Sequence, residues 1–127
     1  MLFRSPFWVS FAVPDSAVIV QGLTLLIDYP EMQVTIPGSG NVLTVRQSVS
    51  NVQTGALSSP FDLDTALREQ LAGTASPLAP GPVFTIDFLD CVGASAPTAA
   101  DFGCTVELAT DSLGQPDEGV TCTVSSP

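Results

Sequence analysis

The sequence predicts an all-β chain, a two-sheet antiparallel β-sandwich with at most one short helix. Three observations predict it. Ten Gly and eleven Pro are spread through 127 residues, and such dense punctuation leaves little room for long helices. Between these breakers lie short runs rich in Val, Ile, Thr and Phe, residues that fit a pleated, half-buried surface. Within the runs, apolar and polar residues alternate, the two-residue period of a strand with one dry and one wet face. Two such sheets bury their apolar sides against each other.

The expected strands follow in order. Over residues 7–13, Phe7, Val9, Phe11 and Val13 alternate with Trp8, Ser10 and Ala12. Further strands are expected over 17–28, 32–36, 42–52, 83–89, 104–110 and 119–125. Turn chemistry separates them at Pro14-Asp15, Tyr29-Pro30-Glu31, Pro37-Gly38-Ser39-Gly40, Pro80-Gly81-Pro82 and the stretch 111–118. Phe84, Ile86 and Phe88 share a face, with Thr85 and Asp87 opposite. Cys104, Val106 and Leu108 face one way and Thr105, Glu107 and Ala109 the other. Val120, Cys122 and Val124 alternate with Thr121, Thr123 and Ser125.

Residues 59–73 are ambiguous. Ser59 can cap a helix with Pro60 at its first position. Leu63, Ala66, Leu67, Gln70 and Leu71 then form one stripe, which Gly73 ends. A strand would place Leu63, Thr65, Leu67 and Leu71 on one face, but Glu69 among them. The local pattern favours the helix.

Charge excludes several functions. Thirteen Asp and Glu stand against Arg4, Arg46 and Arg68, giving a net charge of −10. Such a chain repels nucleic acid and anionic membranes. It tolerates cations or a basic protein patch, and its acids keep a lysine-free surface soluble. At 45% hydrophobic residues the chain is no disordered tail. No apolar run reaches the roughly 20 residues of a membrane span. Leu2-Phe3-Arg4-Ser5 matches the translation of a common sequencing adapter. Residues 1–5 are therefore expected to be a non-native leader, with 6–127 as the single domain and any export signal lost upstream.

No catalytic constellation is expected. The sequence has no His, which removes a Ser-His-Asp triad and the usual partner of a nucleophilic Cys. Asp62 with Asp64 and Asp87 with Asp90 are the nearest carboxylate pairs, and nothing local marks a glycosidase cleft. The Gly-rich stretch at Pro37 lacks the lysine of a phosphate loop. The acids of residues 111–118 lack EF-hand spacing, so neither a metal nor a cofactor is expected. Trp8 and Tyr29 could form a small sugar-stacking platform, which keeps a carbohydrate-binding module, and a polysaccharide ligand, as the alternative reading.

Cys91, Cys104 and Cys122 form no C-x-x-C pair. One disulfide with one cysteine left over is expected, which points to an oxidising compartment. Cys104 and Cys122 each share a face with apolar neighbours, and the stretch between them centres on Leu113. They are expected to bridge, across the two sheets if their strands lie in different ones. Cys91–Cys104, closing the loop around Pro97, is the alternative.

Four stretches, in order, carry a family resemblance. They are Gly22-Leu-Thr-Leu-Leu-Ile-Asp-Tyr-Pro30, Val34-Thr-Ile-Pro-Gly-Ser-Gly40, Pro80-Gly-Pro-Val-Phe-Thr-Ile-Asp-Phe88 and Ala109-Thr-Asp-Ser-Leu-Gly114. Together they resemble the cohesin-like β-sandwich family, in a divergent bacterial branch. The resemblance implies a nine-strand jelly roll and a strand for part of residues 59–73. It implies a non-catalytic, extracellular interaction or structural surface module, with a dockerin-like or other protein module as partner. In cohesins the docking sheet holds the third, fifth, sixth and eighth strands. Carried over to residues 32–36 and 104–110, this marks Gln33, Thr35, Thr105, Glu107 and Ala109 as the wet face available to a partner.

Overall fold

β1 (Arg4–Ala12) shows how the chain builds its layers. Phe7, Val9 and Phe11 are buried while Trp8 and Ser10 between them are half-buried on the opposite face, the expected alternation of a pleated strand. The structure, a computed structural model, describes residues 4–126. Residues 1–3 of the expected leader lie outside the described residues. Arg4 and Ser5 pair with Leu89 and Phe88 as the first rungs of β1.

The remaining elements are β2 (Gly22–Asp28), β3 (Val34–Thr35), α1 (Leu43–Gln47), β4 (Val49–Ser50), β5 (Ala56–Asp62), β6 (Ala66–Gly73), β7 (Gly81–Asp90), β8 (Gly103–Thr110) and β9 (Thr121–Ser125). One turn of 3-10 helix spans Ala99–Asp101. The strands form two antiparallel sheets. One runs β3-β7-β1-β9, with β4 also paired to β7, and the other runs β5-β6-β2-β8. This is the expected two-sheet sandwich with one short α-helix.

The core lies between the sheets. β1 and β7 contribute Phe7, Val9, Phe11, Phe84, Ile86 and Phe88; β2 and β6 contribute Leu23, Leu25, Ile27, Leu67 and Leu71. At one end Phe7, Tyr29, Phe88 and Phe102 form an aromatic cluster with centroids 4.4–6.3 Å apart in its contacting pairs. Tilted and edge-on contacts of this kind add to the burial itself.

Three expectations are corrected. Residues 59–73 form the hairpin β5–β6, not a helix. The amide of Leu63 donates to the carbonyl of Ala66 at 2.8 Å, and Asp64 takes the positive φ of 73° that the turn requires. Leu67, Glu69 and Leu71 all point inward at period two, so Glu69 does sit on the apolar face. Residues 42–52 are not one strand. Val45 is their fully buried hydrophobic, and the Val42 carbonyl accepts from the Arg46 amide at 3.1 Å to start α1. In β8 the register shifts, with Leu25 opposite Val106 and Thr24 opposite Leu108, so Glu107 is a bulge residue. The extra residue reverses the alternation beyond it: Ala109 turns inward and is buried, and Leu108 turns outward.

Cys104 and Cys122 form a disulfide with a Cα–Cα distance of 5.7 Å. β8 and β9 are edge strands of different sheets, so the bond ties the two layers along one margin. Cys91 is a free thiol. The bridge closes a loop of 18 residues in sequence separation. Cys104→Ser with Cys122→Ser is expected to lower stability by about 3 kcal/mol. Urea denaturation with and without reductant checks this: the wild type loses stability on reduction and the double variant does not respond.

Candidate functional site

The outer face of the four-stranded sheet is built from three rows of side chains set by strand register. Phe61, Arg68, Leu26 and Thr105 form one row, and Ser59, Gln70, Thr24 and Leu108 the next. Leu57 and Ala72 pair in the third, beside Gly22. These side chains face out because Leu23, Leu25, Ile27, Leu67 and Leu71 occupy the inner face. Leu57, Phe61 and Leu108 are 65%, 46% and 50% exposed. Large apolar side chains so exposed on one open sheet are a feature of interaction surfaces.

Arg68 of the first row, Glu107 at the bulge beside it, and Asp28, which follows Leu26 outward on β2 between Ala66 and Gly103, are the charged residues of this face. Arg68 Nε donates to Glu107 Oε1 at 2.7 Å, and Nη2 donates to Oε2 at 3.2 Å. The bond to Arg68 holds the Glu107 carboxyl below its ordinary pKa, and the Glu107 bond raises that of Arg68. The bulge at Glu107 brings its carboxylate onto the same face as Arg68. Solvent reaches the pair, so its contribution to stability is small and weakens with salt. Two shallow depressions border this face. One of about 240 Å³ is lined by Asn41, Ser59, Phe61, Arg68 and Gln70. The other, of about 420 Å³, is lined by Leu57, Ser58, Ser59, Gln70, Leu71 and Ala72.

The residues marked in the sequence divide between the two sheets. Thr105 and Glu107 lie on the face just described. Thr35 belongs to β3, paired with Leu89 of β7 in the other sheet. Gln33 lies just before β3, and its Nε2 donates to the carbonyl and hydroxyl oxygens of Ser95 at 3.1 Å each, joining two loops. The four residues therefore do not form one surface. The strand between β6 and β8 in this sheet is β2, with Thr24 and Leu26, and not residues 32–36. Ala109, also expected on the wet face, is buried.

The other candidates have structural engagements. Tyr29 is buried, with its hydroxyl 2.7 Å from Asp62 Oδ1 and 2.8 Å from the Asp64 carbonyl, where it donates. Burial and then the Asp62 carboxyl raise its pKa. Burial also raises that of Asp62, against the opposing hydrogen bonds from Tyr29 and the Asp64 amide. Trp8 is on the outer face of the other sheet, between Thr85 and Ser125. Trp8 and Tyr29 thus share no platform. Asp87 pairs with Arg4 at 3.2 Å, and Asp90 accepts from Ser5 at 2.6 Å. Asp111 Oδ1 accepts from the amides of Leu113 and Gln115, closing its own loop.

The sequence reading missed Leu57, Phe61, Leu26 and Leu108. The signal existed for β5, where Leu57, Ser59 and Phe61 alternate with Ser58, Pro60 and Asp62, but the helical stripe concealed it. Comparison with known proteins finds no matching family model, no matching curated protein and no matching solved structure.

Tyr29→Phe removes the hydroxyl that serves both Asp62 and the hairpin turn. Asp62 then keeps only the longer bond from the Asp64 amide, 3.3 Å, and a buried acceptor deprived of a donor costs about 1–3 kcal/mol. The expected outcome is a destabilisation of that size in urea or thermal unfolding, monitored by circular dichroism.

Proposed function

We propose that this chain is a non-catalytic, extracellular protein–protein interaction module of cohesin-like type, docking through the outer face of β5-β6-β2-β8. One observation carries the reading. Leu57, Phe61, Leu26 and Leu108 stand on an open sheet face whose charges are the Arg68–Glu107 ion pair and, at one end, Asp28, on a chain of net charge −10. A face poor in net charge and supplied with apolar anchors suits a protein partner.

Several features support the remainder of the reading. The disulfide fits an oxidising, extracellular setting. No helix among the described residues is long and apolar enough to cross a membrane. The order of motifs resembling cohesins supports a dockerin-like module as partner. Such a partner would bring an apolar patch to Phe61 and Leu108, and basic residues at its rim would meet the acidic surroundings of the face. The carbohydrate-binding alternative receives less support, since the aromatic side chain in these rows is Phe61 alone and sugar stacking favours several aligned rings.

Calorimetric titration against a panel of dockerin modules tests the proposal, with Phe61→Arg plus Leu108→Arg as the face variant. The wild type is expected to bind at least one module, with affinity reduced at least tenfold by the variant. Equal binding by both proteins moves the docking face elsewhere. Retention on polysaccharide, with no dockerin bound, favours the carbohydrate reading.

A further inference from the structure

Glu69 is 0% exposed on the inner face of the sandwich. It pairs with Leu25 on one side and Pro60 on the other, and its neighbours along the inner face of β6 are Leu67 and Leu71. Its Oε1 accepts from the hydroxyl of Ser58 at 2.6 Å, and the Ser59 amide also bonds the carboxyl. Its Oε2 has no partner. A buried carboxylate needs a cation or a full set of donors.

Among the described residues no such cation faces it. Arg68 points to the outer face and pairs with Glu107, Arg4 pairs with Asp87 on the other sheet, and Arg46 is exposed on α1. Lysine and histidine do not occur. The inner residues of β2 are Leu23, Leu25 and Ile27, and those of β1 and β7 are Phe, Val and Ile side chains. Inner positions of β8 and β9 carry the disulfide with Val106 and Val124. The titratable group on the inner side of β5 is Asp62, an acid, with Tyr29 bonded to it. Neither can stabilise a negative charge on Glu69 by Coulomb attraction.

We infer that Glu69 is a proton-held latch: the neutral acid keeps the β5–β6 hairpin closed on the sandwich, and loss of its proton loosens the edge strand β5. Both donors to Glu69 come from β5, an edge strand that pairs with β6 and on its other side is held at Asp62 by two backbone bonds to Gly40. The ionised group reaches water most directly by displacing that strand. Consistently, burial pushes the carboxyl from 4.5 up to about 7, although Ser58 and Ser59 oppose the rise. A folded value above the unfolded one gives stability that is complete below about pH 4.5 and is lost as the pH rises through about 7. The inference is independent of what docks on the outer face.

The test is urea unfolding of the whole chain at intervals between pH 5 and 7. One proton held by the folded state makes the unfolding constant rise about tenfold per pH unit in this window. Glu69→Gln is expected to remove most of that rise, and Asp62→Asn, the control for the neighbouring acid, to keep it. Two measurements on the wild type do not depend on the variants folding. The carbon-13 signal of the Glu69 carboxyl should titrate near pH 7. Amide-exchange protection of β5 should fall with pH before that of β1 and β7. A Glu69 carboxyl titrating between pH 4 and 5, or an equally steep rise in Glu69→Gln, overturns the inference. Protection lost from β5, β1 and β7 together overturns the assignment of the latch to the hairpin.

Discussion

Burial of the two inner sheet faces against each other sets the side on which every other residue appears. Phe84 and Phe88 are completely enclosed, as are Leu25, Ile27 and Leu67 across the layer. Burying each such side chain contributes about 1.5–3 kcal/mol. With a strand period of two, a slip of one residue would turn a whole set of these toward water. The molecule instead absorbs local irregularity in bulges. Val83 is the extra residue where Val9 faces Phe84 and Ser10 faces Pro82, and both Val83 and Phe84 end up buried. Glu107 is the extra residue in β8, which exposes Leu108 and delivers a carboxylate to Arg68. The composition of the outer face is thus a consequence of how the inner one closes.

The same constraint explains the hairpin. A strand over residues 66–73 must carry Glu69 inward between Leu67 and Leu71, and that misfit favours a helix when the segment is read alone. The structure accepts the misfit. Inward burial of Leu67 and Leu71, the turn at Asp64 and the hydrogen bonds from β5 together outweigh one acid on the wrong face. Tertiary packing commonly overrides local preference in this way. The residue that defeated the local reading is also a fully buried acid with an unmet hydrogen bond, which is why it stands out as a site of pH response.

Legibility in the sequence followed the strength of alternation. β1, β7 and β9 could be read from period two, and the pairing of Cys104 with Cys122 from the faces they share with apolar neighbours; the strand expected over 17–28 begins only at Gly22. α1 could not, because residues 42–52 hold too few consistent inward positions for either periodicity to dominate. The burial of Tyr29 depends on a carboxylate 33 positions away, which no local pattern reveals. The residues transferred from cohesins do not share one sheet face, for another reason. Alternation tells which side a residue faces but not which sheet its strand joins. Thr105 and Glu107 entered the four-stranded sheet, whereas Thr35 paired with β7 in the other.

The two margins of the four-stranded sheet are held by different means. At β8 the Cys104–Cys122 bond joins the layers covalently, while at β5 the hairpin depends on hydrogen bonds and on an inward acid. The outer face spans both margins, since Leu108 stands on the covalently tied strand and Phe61 on the other. A protein that contacts Leu108 and Phe61 together must bind the closed hairpin better than the loosened one. Its binding free energy then adds to the stability of the hairpin by mass action, and protonation of Glu69 and occupancy of the face favour the same closed state. Binding confined to β8 and β2 would carry no such linkage, because those strands stay in place whether or not β5 does.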